Sequence, residues 1–252
     1  MSLPQPRIEV RRAADRFVTT EPGRTTYHSF SFGHFYDPAN LRFGLLVCHN
    51  DDHLQPGSGY ADHPHRDLEI VTWVLSGALT HRDSTGSGGG STGGSTGRSG
   101  GGSGVVGAGQ VQAMSAGSGV VHSEVVEPGA DPTRFVQTWV LPDKPGVRPR
   151  HATADLALAP GELTPVVSGS DHGAALRIGA RAATLYAASL ATGDTVALPN
   201  LARAHVFVAT GTLELEDAAA LAEADAARVT DAGGLRLTAT APTQLLVWGF
   251  AS

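Results

Sequence analysis

Apolar positions along the chain fall in short runs broken by turn residues, and no long window holds a strong 3.6-residue apolar period. Phe43–His49, Ile70–Leu75, Ala78–Arg82, Val105–Val106, Gln110–Met114 and Phe135–Leu141 are the strand candidates. Gly77, Gly109, Gly117 and Gly119 punctuate them as sites of positive φ or tight turns. The pattern predicts an all-β fold. One Ala-rich stretch, Ala218–Ala227, reads instead as a short helix or a loop with helical bias.

The chain resembles itself. Thr72–Asp83 aligns with Val206–Asp217 at an offset of 134 residues, with Gly77 over Gly211 and Asp83 over Asp217. This predicts two domains of one architecture, one per half. Pro142, Pro145, Gly146 and Pro149 cluster where a linker is expected. The domains are therefore drawn as 1–146 and 147–252. Ser84–Gly104 contains only Gly, Ser and Thr apart from Arg98. With no apolar side chain to bury, it is expected to be a flexible loop inserted between two strands of the first domain.

Composition narrows the partners. The chain has 252 residues, enough for one large β domain or two smaller ones, and a net charge of −6. A weakly acidic surface argues against direct nucleic-acid binding. No apolar run is long enough to span a bilayer, and the first 30 residues hold five arginines but no apolar signal core. Cys48, the single cysteine, has no intrachain disulfide partner and reads as a small core residue. A cytoplasmic location is expected.

The chemistry concentrates in Asp62-His63-Pro64-His65-Arg66 and His122-Ser123-Glu124. Each candidate pair is spaced i, i+2, which on a strand points both side chains to one face. Two such strands, adjacent or facing each other inside a barrel, could gather three imidazoles and one carboxylate at a point. That donor set suits a first-row transition metal and leaves about two positions open on an octahedral ion. The same shift of 134 carries His63 and His65 onto Ala197 and Pro199, which cannot ligate. Only the first half is therefore expected to hold metal, and His205 reads as a surface or core residue.

A His-x-His pair, glycine turns and a later His on short strands resemble the cupin superfamily of jelly-roll barrels. Phe30-Ser31-Phe32, Tyr36-Asp37-Pro38, Asn50-Asp51-Asp52, His63-Pro64-His65-Arg66, Glu69-Ile70-Val71-Thr72, His81-Arg82-Asp83-Ser84 and Met114–Glu124 look like the pirin family within it. That resemblance covers about residues 7–150, and Ser84–Gly104 departs from it. It implies two tandem cupin barrels with a metal in the first only. The ligands it implies are His63, His65, His122 and Glu124. It implies iron(II) as the metal, with Mn, Ni, Cu, Co or Zn as alternatives. It also implies a quercetin 2,3-dioxygenase-type activity that cleaves a flavonol with O₂; in that reaction Glu124 is expected to be a ligand and, if it swings free, the base that takes the hydroxyl proton. The other role it implies is a metal- or redox-sensing regulator that uses the same site on a protein partner. Glu69 stands four after His65, at the carboxylate position of many other cupins. It is assigned around the site rather than to the metal. Asp62, Gln112 and Ser115 are the other candidates to support the ligating imidazoles. Phe30, Phe32 and Trp73 are candidates for pocket wall or core.

Overall fold

The computed structural model describes residues 6–84, 98–99, 102–170 and 173–252. Most of the Ser84–Gly104 insert lies outside the described residues. Its described part includes Arg98–Ser99, paired with Ala152 and Thr153, and the start of the strand Ser103–Gly107. Apart from a 3₁₀ turn at Ala13–Asp15, the regular structure among the described residues is all strand.

The strands build two sandwiches, each with a large sheet packed on a four-stranded one. In the first, the large sheet runs Phe17–Glu21, Arg24–His28, Leu46–Leu54, Thr133–Val140, Glu69–Ser76, Gln110–Ser115, Arg150–Asp155, Arg98–Ser99. Its small sheet runs Gly59–His65, Val120–Val125, Ala78–Asp83, Ser103–Gly107. In the second, Arg7–Arg11, Ala226–Thr230, Arg203–Thr210, Thr243–Phe250, Ala183–Leu190, Thr164–Ser168 and Leu176–Arg177 form the large sheet. Thr195–Ala197, Arg236–Ala239, Thr212–Leu215 and Leu221–Ala222 form the small one.

The strand Glu69–Ser76 explains why so little of the first half alternates cleanly. Ile70 and Val74 point into the first sandwich, against Met114 and Val120 at one end and Leu79 and Phe135 at the other. Val71 and Trp73 point the other way, into a core shared with Phe207, Leu246, Trp248 and Phe250 of the second half. Both faces are covered, so the strand reads as a continuous apolar run. The shared core joins the two large sheets back to back. Trp248 Nε1 donates to Thr138 Oγ1 across it at 3.2 Å. Each large apolar side chain sealed there contributes roughly 1.5–3 kcal/mol.

The expected cut at 146/147 does not follow the hydrogen bonding at either end. Arg7–Arg11 pairs with Ala226–Thr230 and covers the open edge of the second large sheet. Arg150–Asp155 pairs with Gln110–Ser115 in the first. The helical bias at Ala218–Ala227 is overridden as well. Ala224 has φ +66°, and the chain there makes the short strand Leu221–Ala222 and enters Ala226–Thr230. Tertiary contacts decide it. Leu221, Ala226 and Ala227 are buried, and the Asp225 carboxylate accepts from Ala222 N, Ala13 N and Arg12 Nη1.

The internal repeat has a physical basis. Gly77 and Gly211 each turn a hairpin at positive φ, +74° and +84°. Each lies under a Pro-Thr pair, Pro132-Thr133 and Pro242-Thr243, so close that a Cβ at either glycine would strike it. Thr133 Oγ1 donates to Ala78 O and accepts from Ala78 N. Thr243 Oγ1 does the same for Thr212 O and Thr212 N. The same staple closes one hairpin in each half.

Candidate metal centre

The small sheet of the first sandwich carries the site. His122 pairs with His63 and Val120 with His65, so the two i, i+2 motifs lie side by side on neighbouring strands. A register shift falls between His122 and Glu124 on that side. On the other side, Glu124 pairs with His81 and His122 with Asp83.

The imidazoles of His63, His65 and His122 each present a ligand atom within 4.8 Å of the other two. Ring centroids are 4.4 Å apart for His63–His122, 4.8 Å for His63–His65 and 4.9 Å for His65–His122. Glu124 enters through a second set at the same radius, with His122 and His81. Its carboxylate accepts from Gln137 Nε2 at 2.9 and 2.8 Å and from Thr72 Oγ1 at 3.5 Å.

The electrostatics favour neutral imidazoles. Burial first, and then the neighbouring His63, pushes the His65 pKa down to about 4. Burial with His63, His65 and His81 around it pushes His122 down to about 2. Desolvation raises Glu124 to about 7, helped by the nearby Asp52 carboxylate and opposed by Gln137 and Thr72. Asp52 is itself raised to about 6 by burial, although Thr26 Oγ1 and the Tyr60 hydroxyl donate to it.

His65 Nε2 and His122 Nε2 are both buried with no hydrogen-bond partner. An unpaired buried polar atom costs about 1–3 kcal/mol, so two in one cluster call for a ligand. His63 Nδ1 donates to Ala61 O at 2.8 Å, which leaves its Nε2 bare when the ring is neutral. Three such nitrogens beside a carboxylate fit a divalent transition metal.

The other expected site residues divide. Gln112 shares the inward face with Met114 and pairs with Thr72, beside Glu124. Asp62 is exposed, on the opposite side of its strand from the two histidines. Glu69 is buried but accepts from Ser115 Oγ at 2.6 Å and from the Gly179 backbone, so it and Ser115 tie the first half to the second. Trp73 and Phe30 belong to the shared core, where Phe30 lies under the Arg228 guanidinium at 4.3 Å. Phe32 does approach the site: its ring is 5.3 Å from Trp139, and Trp139 stands edge-on to His65 at 4.9 Å. His28 stacks on Phe32 at 4.9 Å and extends the aromatic wall.

Trp139, Gln137 and His151 were not singled out from sequence, and His81 and Asp83 entered only through the His81-Arg82-Asp83-Ser84 motif of the resemblance, not as site residues. Gln137 and Trp139 alternate inward with Phe135, a signal available once that strand's facing is known. His81 and Asp83 repeat the i, i+2 spacing of the ligand pairs.

Among the described residues, the clusters of histidine and carboxylate able to hold a metal all lie in the first sandwich, whose large sheet supplies His151. His205 is buried at the shared core against His49. Among the described residues, no helix is long and apolar enough to cross a membrane. This is a two-domain cupin with a histidine-rich centre in its first domain.

The pirin family model matches residues 9–140, and a model described as a quercetinase C-terminal cupin domain matches 165–248. The chain belongs to the pirin family. It is 44% identical over 96% of its length to "Putative quercetin 2,3-dioxygenase Rv0181c" of Mycobacterium tuberculosis, covering 94% of that protein. It is 35% identical to the quercetin 2,3-dioxygenase of Escherichia coli K12, over 57% of this chain and 56% of that one. The bacterial pirin YhhW of Escherichia coli, solved in complex with nickel(II), superposes with a TM-score of 0.83 at 26% identity. That match covers 97% of this chain and 99% of the other.

Proposed function

We propose that the chain is an iron(II)-dependent dioxygenase that cleaves flavonols of the quercetin type with O₂. The observation that carries this reading is the pair of buried, partnerless Nε2 atoms on His65 and His122 beside a buried carboxylate. His63, His65, His122 and Glu124 would hold the ion. Manganese, nickel, copper, cobalt and zinc are alternative occupants of the same donors. When bound, the metal supplies Lewis acidity toward the flavonol 3-hydroxyl and a redox centre for O₂.

The chain's own residues do the rest. A Glu124 oxygen, freed from the ion, takes the 3-hydroxyl proton, and its burial favours the protonated form that results. Gln137 Nε2, on both carboxylate oxygens, sets the direction in which that base faces. Trp139 and Phe32, tilted to each other, offer aromatic faces beside His65 for the substrate's rings. The burial of His65, His122 and Glu124 keeps bulk water from the reacting atoms. The buried single thiol, Cys48, suits the reducing cytoplasm in which we place the reaction.

The test is anaerobic reconstitution with Fe(II) followed by O₂ uptake on adding quercetin. Metal-dependent uptake that is lost in Glu124→Gln supports the proposal. Full metal loading with no uptake removes it for this substrate.

A further inference from the structure

Behind His122 runs a line of buried polar side chains that the proposed reaction does not use. His122 Nδ1 meets His81 Nδ1 at 3.5 Å, and His81 Nε2 meets Asp83 Oδ2 at 3.0 Å. His151 Nδ1 reaches the same Asp83 oxygen at 2.6 Å from the large sheet. His81 is 1% exposed, Asp83 0% and His151 9% by side chain. His81 and Asp83 lie i, i+2 on Ala78–Asp83, and the strand pairing sets them beside Glu124 and His122.

We propose that Asp83, acting through His81, is a positioning residue that fixes the ring tautomer of His122 and so leaves His122 Nε2 bare for the metal. The inference rests on the reading of His122 as a metal ligand. It follows from donor counting. An ionised carboxylate only accepts, so His81 Nε2 carries the proton facing Asp83. A neutral His81 then offers a lone pair at Nδ1. His122 Nδ1, facing that lone pair, is the donor. The second nitrogen of His122, Nε2, is left with its lone pair and no protein partner. Metal-bound imidazoles are commonly held this way by a carboxylate or carbonyl directly; here a second imidazole is interposed. The same residues admit two other arrangements. His81 could itself join His122 and Glu124 around an ion, and His81, Asp83 and His151 could hold a second one. Neither leaves His81 Nδ1 free to accept from His122.

The test reads the tautomer without metal and the affinity with it. In metal-free wild type, ¹⁵N NMR of the imidazoles is expected to show His122 protonated at Nδ1 and bare at Nε2. Protonation at Nε2 overturns the proposal, whatever the variants do. Zn(II) is the metal probe, its dissociation constant measured by chelator competition. His81→Leu and Asp83→Ala are expected to weaken zinc about 10–100-fold. His81→Gln should stay within about threefold of wild type, because its amide oxygen can accept from His122 and its NH₂ can donate to Asp83. Unchanged affinity in both disrupting variants overturns the proposal. So does a second zinc per chain, or metal coordination at a His81 nitrogen. If wild type binds zinc no better than His122→Ala, the metal reading itself fails, and the tautomer spectrum still reports on the relay.

Discussion

Glu124→Gln should stabilise the metal-free protein at alkaline pH while impairing metal binding. Glu124 is 1% exposed, and its hydrogen-bond donors, Gln137 and Thr72, are neutral. Burial lifts its pKa from 4.5 to about 7. A carboxylate whose folded pKa is raised supports the fold below its unfolded pKa and loses that support as pH climbs through the folded value. Between pH 4.5 and 7 the unfolded chain is ionised here and the folded chain is not, so the contribution of this one group falls with rising pH, against the larger opposite trend from the buried histidines. Each pH unit crossed in that window costs about 1.4 kcal/mol, and well above pH 7 the loss levels off at about 3 kcal/mol. Glutamine keeps an oxygen for Gln137 and never ionises. The stability gap between Glu124→Gln and wild type should therefore widen by about 2.5 kcal/mol from pH 5 to pH 8. Urea unfolding in the presence of a chelator at the two pH values measures it. With saturating metal the order should reverse, because the ion stabilises only the chain that binds it. A metal-free variant no more stable than wild type at pH 8 would refute the claim that Glu124 sits desolvated and without a cation.

Other consequences follow from the same geometry. His65 and His122 have folded pKa values depressed to about 4 and about 2, so their contribution is complete above pH 6.5 and is lost as pH falls. The metal-free protein should thus lose stability in thermal melts from pH 7 to pH 5, and His122→Gln should flatten that limb. Trp139→Ala removes the wall beside His65 and should raise the KM for quercetin about 2–10-fold, with a smaller effect on metal content measured by elemental analysis. Gly77→Ala and Gly211→Ala each force a Cβ into positive φ against a Pro-Thr staple and should each cost at least about 1–2 kcal/mol in urea unfolding. Thr133→Ala and Thr243→Ala should each cost about 1 kcal/mol in the same assay, by removing the hydroxyl that bridges each hairpin.

Local spacing carried much of this molecule, and tertiary placement carried the rest. The i, i+2 pairs were readable because a strand's period is two wherever the strand lies, and His63, His65 and His122 do gather. The Gly77/Gly211 repeat was readable because the staple needs glycine in both halves. The surroundings of the site were harder to read. Trp73 and Trp139 look alike in sequence, but one faces the shared core and the other faces His65, and only the sheet-on-sheet packing separates them. Glu69 matched a ligand spacing by parity, yet its carboxylate is drawn to Ser115 and the Gly179 backbone, a partner 110 residues away in the chain. The crossing of Arg7–Arg11 into the second sheet has no local signal, since any polar edge strand reads the same wherever it pairs. The Ala218–Ala227 bias failed for the same reason: Asp225 is held by Arg12 and Ala13 from the opposite end of the chain.

X-ray absorption on protein loaded with one equivalent of Fe(II) under anaerobic conditions probes the centre most directly. The predicted spectrum fits three imidazoles with additional oxygen donors, drops to two imidazoles in His63→Ala, and keeps three in His81→Gln. A wild-type spectrum with fewer than three imidazoles, or one unchanged by His63→Ala, would contradict the assignment.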